Sequence, residues 1–218
     1  MNHIQQPLLF AFFSLFAISS YAQAVEGYDR EEAYADIQTL SEGVLVVRLE
    51  SEERKINALR EKGAASARSG QQIEAEIQSL IEKRDSFNIN LIRAFAQEFT
   101  FCPVYFIYDT DSRSFLEGNR EGIFLNHKAR RDSTVTWSHK NYLGLRSGEA
   151  LNGPEGLIVT DDRFRDLPNP FPGFVKKNSA GSIFNWLLAR DIYYVKNADR
   201  MVGKLQRKLT NFYEQARQ

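Results

Sequence analysis

Two short apolar segments of the 218-residue chain are each followed directly by acidic residues. The segments are VYFIY, residues 104 to 108, and GLIVT, residues 156 to 160. The acids that follow them are Asp109, Asp111, Asp161 and Asp162. Carboxylate oxygens are good ligands for magnesium, manganese and calcium ions, and such an ion could neutralise the charge of a phosphate group. If the two strand ends are neighbours, the four carboxylates converge on one metal ion.

An apolar strand followed by Asp-x-Asp resembles the first motif of the metal-dependent phosphohydrolases of the haloacid dehalogenase class. More loosely, it is similar to the Asp-x-Asp motif of glycosyltransferases. The resemblance covers residues 104 to 112 and extends to residues 157 to 162. It implies a metal-dependent hydrolase or transferase acting on a phosphate ester or nucleotide sugar, with Asp109 as nucleophile and Asp111 as general acid or base. Arg113 stands where the phosphohydrolase motif prefers Thr or Val.

The same acids have a second interpretation, which we favour. Asp and Thr are common at strand ends and in turns, because their side chains hydrogen-bond the nearby backbone. Asp161 and Asp162, followed by Arg163 and Phe164, suit a hairpin turn in this way. The sequence therefore predicts either a metal site or two capped strand ends at these positions. It identifies no catalytic residue and no cofactor.

Histidine and cysteine residues are too few to indicate a zinc site or a cysteine-based active site. Beyond residue 24 the chain has only two histidines, His127 and His139, and one cysteine, Cys102, which is too few ligands for a persuasive zinc site. Cys102 stands between Phe101 and Pro103 at the start of an apolar run. We expect it to be buried rather than reactive.

The charge balance bears on the class of partner. The chain has 28 basic and 28 acidic residues, and a net charge of zero argues against a broad electrostatic footprint for nucleic acid. Local basic stretches such as HKARRD, residues 127 to 132, could meet phosphate or an anionic membrane surface. With no net positive charge, we expect them to be solvated. We predict no nucleic-acid partner and leave a protein partner open.

The first 24 residues are typical of a cleaved export signal. They contain no Asp, Glu, Lys or Arg, and an apolar block from Leu8 to Ile18 leads to small residues at positions 22 and 24. The block is shorter than the roughly 20 residues that span a bilayer. We expect residues 1 to 24 to be removed and residues 25 to 218 to form one exported domain, periplasmic or secreted, without a transmembrane segment. An uncleaved anchor is the alternative.

Apolar periodicity predicts the elements that would position these acids. Residues 43 to 49 and 104 to 108 are expected to be buried strands, and residues 52 to 63 and about 71 to 98 the two helices of a hairpin between them. A strand, a helical region and another strand imply a parallel crossover. A C-terminal helix is expected to pack on the sheet through an apolar seam, with packing against a partner helix as the alternative. The seam comprises Val195, Ala198, Val202, Leu205, Leu209 and Phe212.

Shorter segments complete the prediction. We expect strands at residues 123 to 125, 134 to 137 and 157 to 160. The proline-rich residues 166 to 173 are expected to form an ordered connection.

The predicted class is therefore α/β, with a mixed or parallel sheet, covering helices, a helical hairpin between two buried strands and a C-terminal helix. A thioredoxin-like layer is an alternative, although a domain without Cys-x-x-Cys could not do dithiol chemistry. The function that we expect is that of an exported, soluble, non-enzymatic binding or interaction module whose ligand is unknown. The alternative is the metal-dependent hydrolase or transferase described above.

Overall fold

The computed structural model describes residues 27–65, 70–150, 153–177 and 190–218. The predicted export signal, residues 1 to 24, lies outside these ranges. The elements in chain order are α1 (Arg30–Glu42), β1 (Val44–Leu49), α2 (Glu53–Ala65), α3 (Gly70–Glu98), β2 (Val104–Tyr108), a 3-10 turn (Asp109–Asp111), α4 (Ser112–Leu116), β3 (Tyr142–Glu149), β4 (Glu155–Thr160), β5 (Phe174–Lys176) and α5 (Arg190–Ala216). None of the described helices is long and apolar enough to cross a membrane.

The five strands form one mixed sheet in the order β2-β1-β3-β4-β5. Strands β2, β1 and β3 are parallel, whereas β4 and β5 pair in antiparallel fashion. The predicted α/β class and the parallel crossover from β1 to β2 are confirmed. The chain leaves β1 toward β2 on one side, and β3 lies on the other side of β1. In open α/β sheets, ligands bind outside the carboxyl ends of the strands at such a switch point.

The two faces of the sheet are covered differently. Leu45, Val47 and Leu49 of β1 face a core built with α1, α3 and α5, and the predicted seam of α5 contributes to that core. Val44 and Val46 point to the opposite face, because side chains alternate along a strand. That face is covered by α4, by part of the connection between α4 and β3, and by Phe164.

The connection between α4 and β3 corrects two predictions. The strand expected at residues 123 to 125 makes only isolated bridges, and residues 134 to 137 contain no strand. Ile123, Phe124, Val135 and Trp137 instead pack over the second face of the sheet, whereas Leu125 joins the core on the first face. The rings of Phe124 and Trp137 lie parallel on the second face, with centroids 5.6 Å apart. Aromatic packing onto the sheet, rather than strand pairing, explains the apolar residues in these segments.

Four elements of the sheet and its cover were not predicted, namely α1, α4, β3 and β5. Helix α1 begins with a capping box, in which the Asp29 carboxylate accepts from the N–H of Glu32 and the Glu32 side chain accepts from the N–H of Asp29. Strand β3 contains Gly144, where an added Cβ would clash with Thr160 Oγ1 and lie 2.6 Å from the Phe164 ring. Glycine is therefore required at this position because Thr160 and Phe164 both pack directly against the strand.

The packing of α5 leads to a stability prediction. Leu205 is 0% exposed in the core beneath α5, whereas Leu116 at the end of α4 is 45% exposed. We expect Leu205→Ala to lower the free energy of unfolding by about 2 to 5 kcal/mol, because it leaves a cavity. The matched variant Leu116→Ala should change it by no more than about 0.5 kcal/mol. Urea unfolding measures both, and equal losses would contradict the packing described for α5.

Candidate functional site

Asp109 fixes the backbone at the end of β1. It lies in the 3-10 turn after β2, and its Oδ1 accepts hydrogen bonds from the N–H of Ser51 at 2.9 Å and of Thr110 at 3.0 Å. Asp109 and Asp111 do not continue the strand, because β2 ends at Tyr108 and the backbone turns there. Asp109 therefore joins the loop after β1 to the end of β2.

Asp111 is committed to an ion pair. It is 8% exposed, and both of its oxygens accept from the guanidinium of Arg131, at 2.8 and 2.9 Å. Arg131 belongs to the connection that covers the second face of the sheet. The pair therefore anchors that cover to the end of β2, and it occupies the carboxylate oxygens that a metal ion would need.

Asp161 and Asp162 lie at the other end of the strands from Asp109 and Asp111, near the amino ends of β1, β2 and β3. They follow β4, which runs antiparallel to β3. The last residue of β4, Thr160, is paired with Gly144 near the start of β3, not with the carboxyl end of β3. Strand geometry separates the two acidic pairs by about 16 Å along the strands and about 14 Å across them. The condition for one four-carboxylate site is not met.

The local contacts of Asp161 are those of a turn. Its Oδ1 accepts from the N–H of Arg163 at 2.9 Å and of Arg165 at 2.8 Å, and its Oδ2 pairs with the Arg165 guanidinium at 2.6 Å. Across the part of the chain that the structure describes, no group of three or more His, Cys, Asp or Glu side chains is suited to hold a metal ion.

The second acidic pair has carboxylate neighbours from α1 instead. Asp161 and Asp162 line a cavity of about 500 Å³ together with Glu32 and Asp36. Burial raises the pKa of Asp36, and the charges of Asp161, Glu32 and Asp162 raise it further. The Tyr28 hydroxyl donates to Asp36 at 2.7 Å and opposes these effects by lowering the pKa. Without α1, the sequence pattern could not place these groups together.

A second polar cavity lies where β1, β2 and β3 end. It has a volume of about 280 Å³, and we call it the carboxyl-edge cleft. Its lining comprises Arg48, Glu50, Glu52, Glu53, Arg54, Lys55, Asp109 and Ser147. The cleft occupies the switch point between β1 and β3, where the fold favours ligand binding.

Side chains from outside the loop hold the floor of the carboxyl-edge cleft. The Asn88 amide donates to the carbonyl oxygen of Glu50, and the Arg84 guanidinium donates to that of Ser51, each at 2.9 Å. Glu52 follows with a φ of 58°, a left-handed conformation that is uncommon for a residue other than glycine. Its carboxylate pairs with Lys55 at 2.9 Å. The loop is therefore held in one conformation by the surrounding structure.

Arg48 lies on β1 and lines this cleft, without a hydrogen-bonding partner among the described residues. Its register neighbour on β3, Arg146, pairs with Asp166 at 2.6 Å. Arg48 is half-buried, yet it makes no hydrogen bond or ion pair with any described residue, and its guanidinium lies 5.5 Å from the ring centre of Phe164. Burial lowers the pKa of Arg48 and the charge of Arg146 lowers it further, whereas the charges of Asp109, Asp166 and Glu50 act in the opposite direction.

Glu50 is a half-buried anion that, like the cation Arg48, has no side-chain partner among the described residues. Its carboxylate makes no hydrogen bond or ion pair within the described chain. Burial raises its pKa, and the neighbouring charge of Glu52 adds to the rise. The sequence analysis missed both Arg48 and Glu50. The signal that could have identified them is the presence of two charged residues in the apolar run GVLVVRLE.

Cys102 is buried, as expected, with an exposed fraction of 9%. Burial raises the pKa of its thiol to about 12. The thiolate, which is the nucleophilic form, is therefore strongly disfavoured at neutral pH.

Comparisons of the chain with protein-family models, with curated proteins and with solved structures find no match.

The environment of Asp36 predicts a pH effect on stability. Because its pKa is higher in the folded protein than in the unfolded chain, where it is about 3.9, folding disfavours the charged carboxylate. The cost develops as the pH rises from the unfolded-state pKa through the folded-state pKa, and it is complete above both. Asp36→Asn should therefore gain stability relative to wild type across that window.

Urea unfolding between pH 3 and pH 7 tests this expectation for Asp36→Asn. The exposed Glu121 provides a control, since Glu121→Gln should follow the wild-type pH profile. A constant loss of stability in Asp36→Asn at every pH would instead assign Asp36 a stabilising role as hydrogen-bond acceptor for Tyr28.

Proposed function

We propose that this protein is an exported binding module that holds a small ligand in the carboxyl-edge cleft and releases it unchanged. The observation that carries the proposal is Arg48, a half-buried cation that faces the cleft with no hydrogen-bonding partner among the described residues. The composition of residues 1 to 24 supports export.

The energetics of Arg48 support a role in binding rather than in folding. A charge withdrawn from water is costly unless it is paired, and within the described chain Arg48 makes a cation–π contact with the ring of Phe164 but no ion pair. Arg146, next to it in register, adds like-charge repulsion. Groups whose pKa is shifted by burial inside a cleft are typical of functional sites. A ligand anion would supply the partner that Arg48 lacks.

The metal-dependent hydrolase or transferase loses its support from the residues that suggested it. Asp109 accepts from the backbone of Ser51, and Asp111 is paired with Arg131. Asp161 lies at the other end of the strands and pairs with Arg165. Asp109, Asp111 and Asp161 thus each have a structural partner, and Asp162 lies beside Asp161, away from Asp109 and Asp111. Arg48 has no such partner among the described residues.

Substitution of Arg48 separates a binding role from a structural one. Arg48→Gln should unfold at the same temperature as wild type or higher, because it removes a poorly solvated charge beside Arg146. In a thermal-shift screen of small metabolites, a ligand present at about 100 times its Kd adds about 2.7 kcal/mol. That stabilisation should raise the Tm of wild type by roughly 5 to 10 °C and leave the Tm of Arg48→Gln unchanged.

The control for this screen is Arg163→Gln, at the other end of the strands, which should respond like wild type. Mass spectrometry should recover each stabilising compound unaltered after incubation. Conversion of a compound by the protein, or an equal response in Arg48→Gln, would overturn the proposed function.

A further inference from the structure

The charges around the carboxyl-edge cleft divide into partnered and unpartnered groups. Glu52 pairs with Lys55, and Asp109 uses Oδ1 to accept two backbone N–H groups. Arg48 and Glu50 are half-buried and have no hydrogen bond or ion pair within the described chain. Glu53 and Arg54 likewise make no side-chain hydrogen bond or ion pair within the described chain, but both are exposed to solvent. Among the half-buried charges of the cleft, one cation, Arg48, and one anion, Glu50, are therefore available to a ligand.

Arg48 and Glu50 do not satisfy each other. They contribute to the lining of the same cavity, but no ion pair forms between them. The Glu50 backbone is tied to Asn88, and its carboxylate is surrounded by the charges of Glu52 and Lys55. Neither the Arg48 guanidinium nor the Glu50 carboxylate is therefore in direct contact with a group of opposite charge among the described residues.

A ligand with one charge would satisfy only half of this arrangement. A simple anion would pair with Arg48 and then meet the carboxylates of Glu50, Glu52 and Asp109. A simple cation would pair with Glu50 and leave Arg48 buried beneath it. Opposite charges on one molecule satisfy both groups, since complementary potentials favour such a ligand and like charges disfavour the others.

The volume of the cleft limits the size of that molecule. Pockets for drug-sized ligands span about 300 to 1,000 Å³, and the carboxyl-edge cleft, at about 280 Å³, lies below this range. We propose that the ligand is a small zwitterion of the α-amino-acid class, whose carboxylate binds Arg48 and whose ammonium group binds Glu50. This assignment rests on the proposed function.

Isothermal titration calorimetry of the mature chain with the twenty L-amino acids, one at a time, tests the assignment. The best binder is then compared with its C-terminal amide, which lacks the carboxylate, and with its N-acetyl form, which lacks the ammonium group. Both derivatives should bind wild type about tenfold more weakly or worse, because each leaves a charged group without its partner.

Two variants assign each ligand group to its side chain. Arg48→Gln should bind the amino acid and its amide about equally, and Glu50→Gln should bind the amino acid and its N-acetyl form about equally. Arg163→Gln should retain both preferences. A structural role for Arg48 or Glu50 would lower stability without removing one preference selectively.

The failures of the two proposals are distinguishable. If no amino acid binds, but another compound raises the Tm of wild type and not of Arg48→Gln, the zwitterion assignment is overturned and the proposed binding function stands. If amino acids bind equally well to wild type and to both variants, the assignment is also overturned. If no compound of any class gives an Arg48-dependent response, both proposals fall.

Discussion

The hydrogen bond from the Ser51 N–H to the Asp109 carboxylate joins the carboxyl ends of the parallel strands β1 and β2. Arg84 and Asn88 hold two carbonyls of the same loop from α3. These contacts leave the loop little freedom, and Glu52 accordingly keeps its left-handed backbone. Because the loop is fixed in this way, Arg48 and Glu50 border an open cleft instead of collapsing onto neighbouring charges.

The fold could be predicted where apolar periodicity was strong and local. That pattern identified β1, β2, the hairpin helices and α5. Strand β3 was missed because Gly144 and Gly148 suggest a loop, and the reason for Gly144 is the close packing of Thr160 and the Phe164 ring, which come from a later part of the chain. Strand β5 was missed because it directly follows the proline-rich residues 166 to 173. Its three residues are also too few to show an alternation of apolar and polar side chains. The formation of β3 and β5 therefore depends on tertiary packing rather than on a local sequence pattern.

The candidate site was predictable in part. The sequence placed Asp109 and Asp111 correctly at the end of a strand, but their partners Ser51 and Arg131 come from distant segments. The sequence could not give the direction of β4. Because β4 runs antiparallel to β3, Asp161 lies at the other end of the strands from Asp109. Arg48 was overlooked because a single charge in an apolar strand carries no motif. Its significance depends on which neighbours are already paired.

The most direct test of this account is amide hydrogen exchange at Ser51, measured by NMR in wild type and in Asp109→Ala. The account predicts a slowly exchanging Ser51 amide in wild type and exchange at least about tenfold faster in the variant, since loss of the acceptor frees the N–H. The Leu45 amide, which donates to Pro103 at 2.9 Å, should stay protected in both proteins. Equal exchange at Ser51 in the two proteins would contradict the role assigned to Asp109.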